Sequence, residues 1–234
     1  MNGLSAVIAA RNESARLPAL LAQLADQPQL VGEVLVVDGG SDDGSAQLAR
    51  LAGAKLLHCA PGRGRQLALG AAEARGSWLL LLHADVRLPR CWGACVARAI
   101  AERPGAARAR PALAWYFDLT IAGRDPALRL VELGAALRSR WLQLPYGDQG
   151  LLLSRQLYEA VGGMRPLPLM EDLELAQRLR SRARLRSLGA ALAVDDRRWR
   201  RLGVWRTTLA NAHLRRAWRR GEALEVLARR YYGG

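Results

Sequence analysis

The sequence of 234 residues predicts an α/β protein with a doubly wound, mostly parallel sheet and helices on both faces. In the first 85 residues, short apolar runs alternate with helical patterns, which is the order of βαβ units. Runs such as 34–37 and the four leucines at 79–82 are apolar throughout, as is typical of strands covered on both faces. The composition is 50% apolar and no run of eighteen apolar residues occurs, which excludes a disordered chain and predicts no membrane-spanning helix.

Local patterns then predict each element in order. Four polar residues at 11–14 end the first apolar run. The helix that follows extends to about residue 25, with Pro18 in its first turns, where proline is tolerated. The second strand ends in the glycine-rich turn 38–44, which permits a sharp change of direction. The predicted strands are 4–9, 33–37, 54–58, 77–82, 113–121, 150–154 and 188–194. Further helices are predicted at 46–51, 65–74, 89–102, 126–138, 155–161, 173–182 and 204–220, with a polar loop at 103–111.

The formal net charge of +14 is unevenly distributed. Residues 1–60 contain four basic and six acidic side chains, whereas residues 173–234 contain sixteen and five. Almost all of the basic residues are Arg, so either a compositional bias or a functional basic face explains the excess. The tail 204–220 carries Trp205 and Leu209 on one face and four arginines at its end, so it either packs over the protein or contacts an anionic membrane surface.

Polar clusters follow three predicted strands and precede one helix, where a doubly wound sheet binds its ligand. Asp38, in the glycine-rich turn with Gly39, suits hydrogen bonding to a ribose hydroxyl or a base N–H. Asp85 suits Mg²⁺ or Mn²⁺, while His83 is either a structural histidine or a ligand. The other two clusters are Asn12 with Glu13, and Glu171 with Asp172, the latter pair being by itself typical of ordinary charges at a helix start.

Two glycine-containing stretches add candidates. Residues 61–66 do not complete a dinucleotide-binding G-x-G-x-x-G motif, because Leu67 stands at the third glycine and the stretch follows the third strand. Arg63 and Arg65 in this stretch are suited instead to neutralising a diphosphate. Asp148 and Gln149, between two glycines and just before a predicted strand, are candidates for lining a pocket.

Taken in order, these clusters resemble the family 2 glycosyltransferases over almost the whole chain. The motifs that carry the resemblance are Ala-Arg-Asn-Glu at 10–13, Val-Val-Asp-Gly-Gly-Ser at 36–41, Leu-His-Ala-Asp at 82–85 and Met-Glu-Asp at 170–172. The second and third variants, with Gly-Asp-Gln at 147–149, look most like the bacterial radical-SAM/selenodomain-associated transferases, some named for arsenosugar biosynthesis.

The resemblance implies a GT-A fold over residues 1–200, with a nucleotide-sugar half at about 1–90, an acceptor half at about 91–200 and a basic helical extension at 201–234. It implies inversion at the sugar carbon and a UDP- or GDP-sugar donor, with Asn12, Glu13 and Asp38 holding the nucleoside. Asp85 would bind the Mg²⁺ or Mn²⁺ ion, and His83 stands where the family's motif has its first carboxylate. Asp172 would be the catalytic base, with Glu171 beside it in the same motif.

Two other classes of function stay open. A nucleotidyltransferase would carry a glycine-rich basic loop after the first strand, where this chain has Arg-Asn-Glu-Ser. A non-enzymatic basic module would explain the tail but not the order of the carboxylates. The expected partners are the sugar donor and an unidentified small or lipid-linked acceptor, with no nucleic acid. Met1 leads directly into a strand without a leader pattern, so we expect a cytoplasmic protein, with peripheral membrane contact through the tail as an alternative.

Overall fold

The computed structural model describes residues 3–102 and 112–232, so the loop predicted at 103–111 lies outside the described residues. Within these ranges the strands are β1 (Leu4–Ala10), β2 (Val31–Asp38), β3 (Lys55–His58), β4 (Trp78–His83), β5 (Val86–Arg87), β6 (Ala112–Ile121), β7 (Leu151–Ser154) and β8 (Ala183–Val194). The helices are α1 (Leu17–Ala25), α2 (Ser45–Leu51), α3 (Arg63–Glu73), α4 (Trp92–Ala101), α5 (Ala127–Trp141), α6 (Arg155–Ala160), α7 (Glu171–Arg182), α8 (Arg197–Leu202), α9 (Val204–Arg219) and α10 (Leu224–Tyr232).

The eight strands of the described ranges form one sheet in the order β3-β2-β1-β4-β7-β6-β8-β5. Strands β1 to β4 are parallel to one another, and β6 is parallel to β8. Strand β7 runs antiparallel to both of its neighbours, and β5 runs antiparallel to β8. The predicted doubly wound, mostly parallel sheet is therefore confirmed.

The core lies on both faces of the sheet because the side chains of the central strands alternate between the faces. In β1, Ile8 belongs to the cluster that packs against α1 and α4, and Val7 to the one that packs against α3 and α7. Helix α3 lies close to the sheet at Gly70, where an added Cβ would stand 2.3 Å from a methyl carbon of Val7. Burial on both faces explains why these strands are apolar throughout.

Two strands and two helices differ from the sequence prediction or were not delimited by it. Strand β8 begins at Ala183 rather than 188, because Arg184 and Arg186 point to solvent while Leu185 is buried between them. Strand β5 has only two residues, too few for a periodic pattern. Helix α8 was not predicted, since its Arg-rich sequence has no clear apolar periodicity. Helix α10 lies within the helical extension expected at 201–234, although its bounds were not predicted.

The last helices pack against the segment that precedes α7. Leu214 of α9 and Leu227 of α10 are buried together with Leu169. Leu169 is the residue that directly precedes Met170 and Glu171 in the chain. The division of the chain near residue 200 stays a prediction. The helices after residue 200 cover the edge of the sheet at which the parallel strands end. None of the helices in 3–102 and 112–232 combines the length and the apolar character needed to cross a bilayer.

Candidate active site

A cavity of about 220 Å³ lies between the carboxyl ends of the strands and the C-terminal helices. It brings together six of the side chains that the sequence predicts for the site. These are Arg63 at the start of α3, His83 at the end of β4, Asp85 two residues later, Asp148 before β7, and Glu171 and Asp172 at the start of α7. An adjoining cavity shares three of these residues and adds Arg11, Glu13 and Gln66. Residues that are distant in sequence thus form one continuous polar site.

The loops that follow β1 and β2 are joined to each other by hydrogen bonds. The backbone N–H of Asn12 donates to the Ser41 hydroxyl oxygen at 2.9 Å, and that of Glu13 donates to the Ser45 hydroxyl oxygen at 2.8 Å. The Asn12 side-chain oxygen in turn accepts from the backbone N–H of Asp42 at 3.0 Å. Asn12 has a φ of 55°, a left-handed conformation that asparagine tolerates better than most residues. The predicted nucleoside residue Asn12 therefore first serves to fix this double loop.

Asp43 has a structural role in the same loops. Its carboxylate accepts from the backbone N–H of Ser14 at 2.9 Å and from the Ser45 backbone N–H at 3.0 Å. Although burial opposes ionisation, the hydrogen bonds from Ser45 and Ser14 lower the pKa of Asp43. Asp43 thus stays ionised as part of the scaffold.

Asp38 forms the floor of the second loop. It is 2% exposed and accepts hydrogen bonds from the backbone N–H groups of Gly40 at 3.0 Å and Ser41 at 3.1 Å, as well as from the Ser41 hydroxyl. Gln66 of α3 donates to the backbone oxygens at the ends of β1 and β2, both at 2.8 Å, and its amide stands against Gly39. The structure therefore holds Asp38 and Gly39 rigidly at the edge of the sheet.

Arg197 of α8 bridges two of the predicted acidic site residues. Its guanidinium contacts both carboxylate oxygens of Glu13 and lies 3.2 Å from Oδ2 of Asp85. Burial raises the pKa of Glu13, and the Asp85 charge adds to this effect against the opposing contribution of Arg197. Arg197 was not a sequence-predicted site residue, because 184 positions separate it from Glu13 and no local pattern marks the contact.

His83 stands in the cavity with a ring nitrogen that has no partner. It is 7% exposed, and its Nε2 is buried without a hydrogen bond. Burial first, and then the charge of Arg63, lower the pKa of His83 to about 4, so the ring is neutral at pH 7. Gly147 makes room for this ring, since a Cβ at that position would lie 2.8 Å from Nε2. A buried, neutral imidazole with a free nitrogen is suited to accept or coordinate a ligand atom.

Asp172 and Glu171 lie at the start of α7 in different environments. The Asp172 carboxylate is half-buried and accepts from the backbone N–H groups of Gly147 and Leu173, both at 2.7 Å. Glu171 is 6% exposed, and burial together with the neighbouring charge of Asp172 raises its pKa to about 7. The contact with Leu173 is the ordinary one for an acidic residue at a helix start, whereas the Gly147 contact ties Asp172 to the loop beneath His83.

Asp148 and Gln149, which precede β7, point in different directions, one into the cavity and the other into the core. Asp148 lines the cavity, and its Oδ1 is buried without a partner, so burial raises its pKa to about 6. The Gln149 side-chain oxygen accepts from Arg138, Ser139 and the Tyr146 backbone, while its nitrogen donates to the Phe117 backbone oxygen at 3.1 Å. The structure does not bring Gln149 to the ligand cavity, because it is 1% exposed and holds the loop from inside.

Arg63 and Arg65, the two arginines of the stretch 61–66, also lie in different places. Arg63 lines both cavities, close to Asp85 and Glu171 on one side and to Tyr231 and Tyr232 of α10 on the other. Arg65 is exposed and lines neither cavity. Two residues along a helix correspond to a rotation of about 200°, which turns Arg65 away from Arg63.

The C-terminal helices supply site residues that the sequence pattern did not indicate. Arg215 of α9 and Arg138 of α5 face the Tyr146 ring, with guanidinium carbons 5.7 Å and 3.4 Å from its centroid. Arg198 lies 3.8 Å from the ring centroid of Tyr231. Trp199, the neighbour of Arg198 in α8, also lines the cavity.

The site offers few protein ligands for a divalent cation. Among residues 3–102 and 112–232, no three His, Cys, Asp or Glu side chains stand together as a ligand set. Asp85 and the free nitrogen of His83 therefore offer two ligands at most. Mg²⁺ is commonly held by one or two carboxylates together with substrate phosphates, so these residues fit a cation shared with a diphosphate once Arg197 releases Asp85.

Comparison with protein families gives a match over part of the chain. Residues 5–112, a little under half of the 234 residues, match the family model Glycosyl transferase family 2. Known structures support the same architecture. Glucosyl-3-phosphoglycerate synthase from Mycobacterium tuberculosis, solved with Mn²⁺, UDP and glucosyl-3-phosphoglycerate, superposes with a TM-score of 0.60 at 19% identity over 82% of this chain and 72% of that chain. The structure with Mg²⁺ and UDP gives 0.60 at 20% identity over 82% and 70%. The predicted GT-A fold is thereby confirmed.

Curated relatives match over a shorter stretch. The 4,4'-diaponeurosporenoate glycosyltransferase of Staphylococcus haemolyticus is 37% identical over 93 residues, which are 36% of this chain and 24% of that protein. A TPR repeat-containing protein of Synechococcus elongatus is 39% identical over 94 residues, which are 38% of this chain and 22% of that protein. The chain thus spans about a quarter of the length of these relatives.

Proposed function

We propose that this chain is an inverting glycosyltransferase that moves a sugar from a nucleotide-diphospho-sugar to an acceptor hydroxyl. The observation that carries the proposal is the position of Asp172, whose carboxylate is fixed by two backbone N–H groups in the cavity that also contains Arg63, His83 and Asp85. One carboxylate next to a cationic and metal-compatible cluster suits a reaction in which the leaving group is already an activated diphosphate.

The donor occupies the edge formed by the first two loops in this proposal. Asn12, Glu13, Asp38 and Gly39 are proposed to hold the nucleoside of a UDP- or GDP-sugar, on loops already fixed by their mutual hydrogen bonds. Arg63 lies between the two cavities, where its charge would neutralise the diphosphate. Solved structures of the same fold at low identity contain UDP with Mn²⁺ or Mg²⁺, which supports a nucleotide and metal at this edge.

The proposed reaction is a single displacement at the anomeric carbon. The acceptor oxygen forms a bond to that carbon while the bond to the diphosphate oxygen breaks, and the hydroxyl proton passes to Asp172. The two backbone N–H donors hold the Asp172 carboxylate in one orientation, and general-base assistance of this kind contributes about 10²–10⁴-fold. Asp85, with His83 beside it, would hold Mg²⁺ or Mn²⁺. A bound cation would supply Lewis-acid stabilisation of the negative charge on the diphosphate.

The acceptor side is proposed to lie toward α5 and α9, where Tyr146, Asp148 and Arg215 line the cavity. The acceptor would be a small molecule or a lipid-linked compound that presents a hydroxyl to Asp172. The motif variants at 36–41 and 82–85 support a proposal that the chain belongs with the radical-SAM/selenodomain-associated transferases. We also propose a cytoplasmic location.

A thermal-shift panel of nucleotide-sugars, with and without Mn²⁺, tests the proposal. A donor at 100 times its dissociation constant adds about 2.7 kcal/mol of stability, which raises the melting temperature by about 5–10 °C. The expected result is a shift with one class of nucleotide-sugar that increases with Mn²⁺, followed by sugar transfer to an acceptor. Stabilisation by nucleoside triphosphates alone, or by heparin and RNA without any nucleotide-sugar effect, would contradict the proposal.

A further inference from the structure

Helices α5 and α9 expose large apolar side chains that no part of the described chain covers. We call these residues the α5/α9 surface: Leu130, Leu133, Leu137 and Trp141 on α5, and Trp205 and Leu209 on α9. Their exposed fractions range from 46% to 81%. A contiguous exposed apolar patch on a folded protein marks an interaction surface or a membrane contact.

The spacing shows that the exposure belongs to one face of each helix. Leu130, Leu133, Leu137 and Trp141 follow each other at intervals of three and four residues, and Trp205 precedes Leu209 by four. Each helix therefore buries one side on the protein and presents a second apolar stripe outward. A helix that only covers a core carries polar residues on that outer side.

The two helices lie side by side, because a groove between them is lined by residues of both. This groove includes Leu130 of α5 and Thr208 of α9, and it shares Asp148 and Arg215 with the active-site cavity. The α5/α9 surface therefore adjoins the mouth of the site on its proposed acceptor side.

Positive charge accompanies the apolar stripe. Arg206, Arg216 and Arg219 on α9 are exposed, and in 3–102 and 112–232 no acidic side chain pairs with any of them. Helix α9 contains no Asp or Glu. The acidic residue of α5, Glu132, is already engaged by Arg129 at 2.9 Å. The surface thus combines apolar side chains with unpaired cations.

We infer that the α5/α9 surface docks on a bilayer that contains anionic lipids. Interfacial helices bury an apolar face among the acyl chains and place Arg near the headgroups, which is the arrangement found here. A second copy of the chain would instead place equivalent arginines against each other in a protein whose net charge is already +14. Charge complementarity therefore favours the anionic bilayer over self-association. The inference rests on exposed side chains and charge, and it stands whether or not the chain transfers sugar.

Vesicle co-sedimentation of the full chain tests the inference. We expect binding to phosphatidylcholine vesicles containing phosphatidylglycerol and much weaker binding to phosphatidylcholine alone. The variant Leu133→Glu/Leu137→Glu should lose most of this binding. Leu51→Glu is the matched control, because Leu51 is 76% exposed on α2, which packs at the opposite end of the sheet.

A second variant tests the charge independently of the apolar stripe. Arg206→Gln/Arg216→Gln/Arg219→Gln should weaken partition by about 100-fold, because each Arg near an anionic surface contributes about fivefold. The control with the same charge loss is Arg50→Gln/Arg75→Gln/Arg90→Gln, whose arginines are exposed on α2, before β4 and before α4. The variant Arg206→Gln/Arg216→Gln/Arg219→Gln also tests the inference if circular dichroism shows that Leu133→Glu/Leu137→Glu does not fold.

Three results would overturn the inference. The first is no sedimentation of the folded wild type with anionic vesicles. The second is equal binding to both vesicle types. The third is a dimer by light scattering that Leu133→Glu/Leu137→Glu converts to a monomer, which would assign the surface to a second copy. Retained donor stabilisation in a variant that no longer binds vesicles would separate docking from the proposed transferase activity.

Discussion

The loops after β1 and β2 and the cavity beneath α7 differ in how their polar groups are satisfied. In the loops, Asn12 hydrogen-bonds Ser41 and Asp42, so the donors and acceptors meet within the protein. Ser45 likewise donates to Asp43 and accepts from the Glu13 backbone N–H. In the cavity, Nε2 of His83 and Oδ1 of Asp148 are buried without any partner. Buried polar atoms are normally paired, so two unpaired atoms that line the same cavity are suited to a ligand that completes the bonding.

The difference separates a scaffold from a reaction site. Substitutions in the loops should act on stability first, whereas substitutions in the cavity should act on ligand binding or turnover first. Glu13 lies between the two regions, since its backbone belongs to the loops and its side chain reaches Arg197 above Asp85.

Asp172→Asn should give the largest change. The amide keeps the shape of the side chain but cannot accept the acceptor proton, so transfer should fall by about 10²–10⁴-fold while the donor dissociation constant stays within a few-fold. Single-turnover transfer and calorimetric donor binding measure the two quantities separately. Asp26→Asn, on the exposed end of α1, is the control. Equal losses in binding and turnover would remove Asp172 from the role of base.

Asp85→Ala should remove the dependence of donor binding on the divalent cation. Because Asp85 is the one carboxylate proposed to hold that cation, donor affinity measured with Mn²⁺ should fall at least about tenfold, or 1.4 kcal/mol. Affinity measured in EDTA should be the same for the variant and the wild type. Unchanged Mn²⁺-dependent binding in calorimetry would contradict the assignment.

Gly147→Ala should damage the cavity, because the new methyl group would stand 2.8 Å from His83 Nε2 and 3.3 Å from the Asp172 Cβ. We expect a loss of about 1–3 kcal/mol of stability from overpacking, together with a loss of turnover. Gly134→Ala is the matched control, since an added Cβ on that helical glycine meets nothing within 4 Å. It should be neutral or stabilising by up to about 1 kcal/mol. Urea denaturation compares the two.

Ser45→Ala should act on the scaffold. It removes the acceptor for the Glu13 backbone N–H and a donor to Asp43, so the free energy of unfolding should fall by about 1–2 kcal/mol. Turnover at saturating donor should stay near the wild-type value. The exposed Ser181→Ala should change stability by less than about 0.5 kcal/mol. A collapse of turnover in Ser45→Ala without loss of stability would contradict the division between scaffold and site.

Glu171→Gln should change the pH dependence of stability. Because the folded protein raises the pKa of Glu171 from about 4.5 to about 7, this carboxyl favours folding most below pH 4.5, and that contribution is lost as pH rises through 7. The variant should therefore have a flatter stability profile over this range than the wild type. Thermal melts at intervals of half a pH unit provide the comparison, and parallel profiles would contradict the buried, protonated state.

The sequence predicted the first strands of the sheet and the polar residues that follow them well, for a physical reason. Strands β1, β2 and β4 are buried on both faces and therefore appear as apolar runs, and each run ends at polar residues. Strand β8 was predicted too short, because Arg184 and Arg186 interrupt the apolar pattern while their side chains reach solvent.

The sequence pattern could not predict the direction of individual side chains or the contacts between residues distant in sequence. Gln149 and Asp148 are adjacent polar residues, yet one points into the core and the other into the cavity. Arg197 reaches Glu13 from the other end of the chain, and Tyr231 reaches the cavity only because α10 packs on the segment before α7. Such contacts depend on tertiary packing and leave no local periodicity.

Histidine side-chain NMR tests most directly whether the cavity around the unpaired ring nitrogen of His83 binds the donor. The chain has three histidines, of which His83 is in the cavity and His213 is exposed on α9. Addition of a UDP-sugar with Mg²⁺ should shift the His83 ring resonances and leave those of His213 unchanged. Saturating donor that raises the melting temperature but leaves the His83 resonances in place would contradict the account.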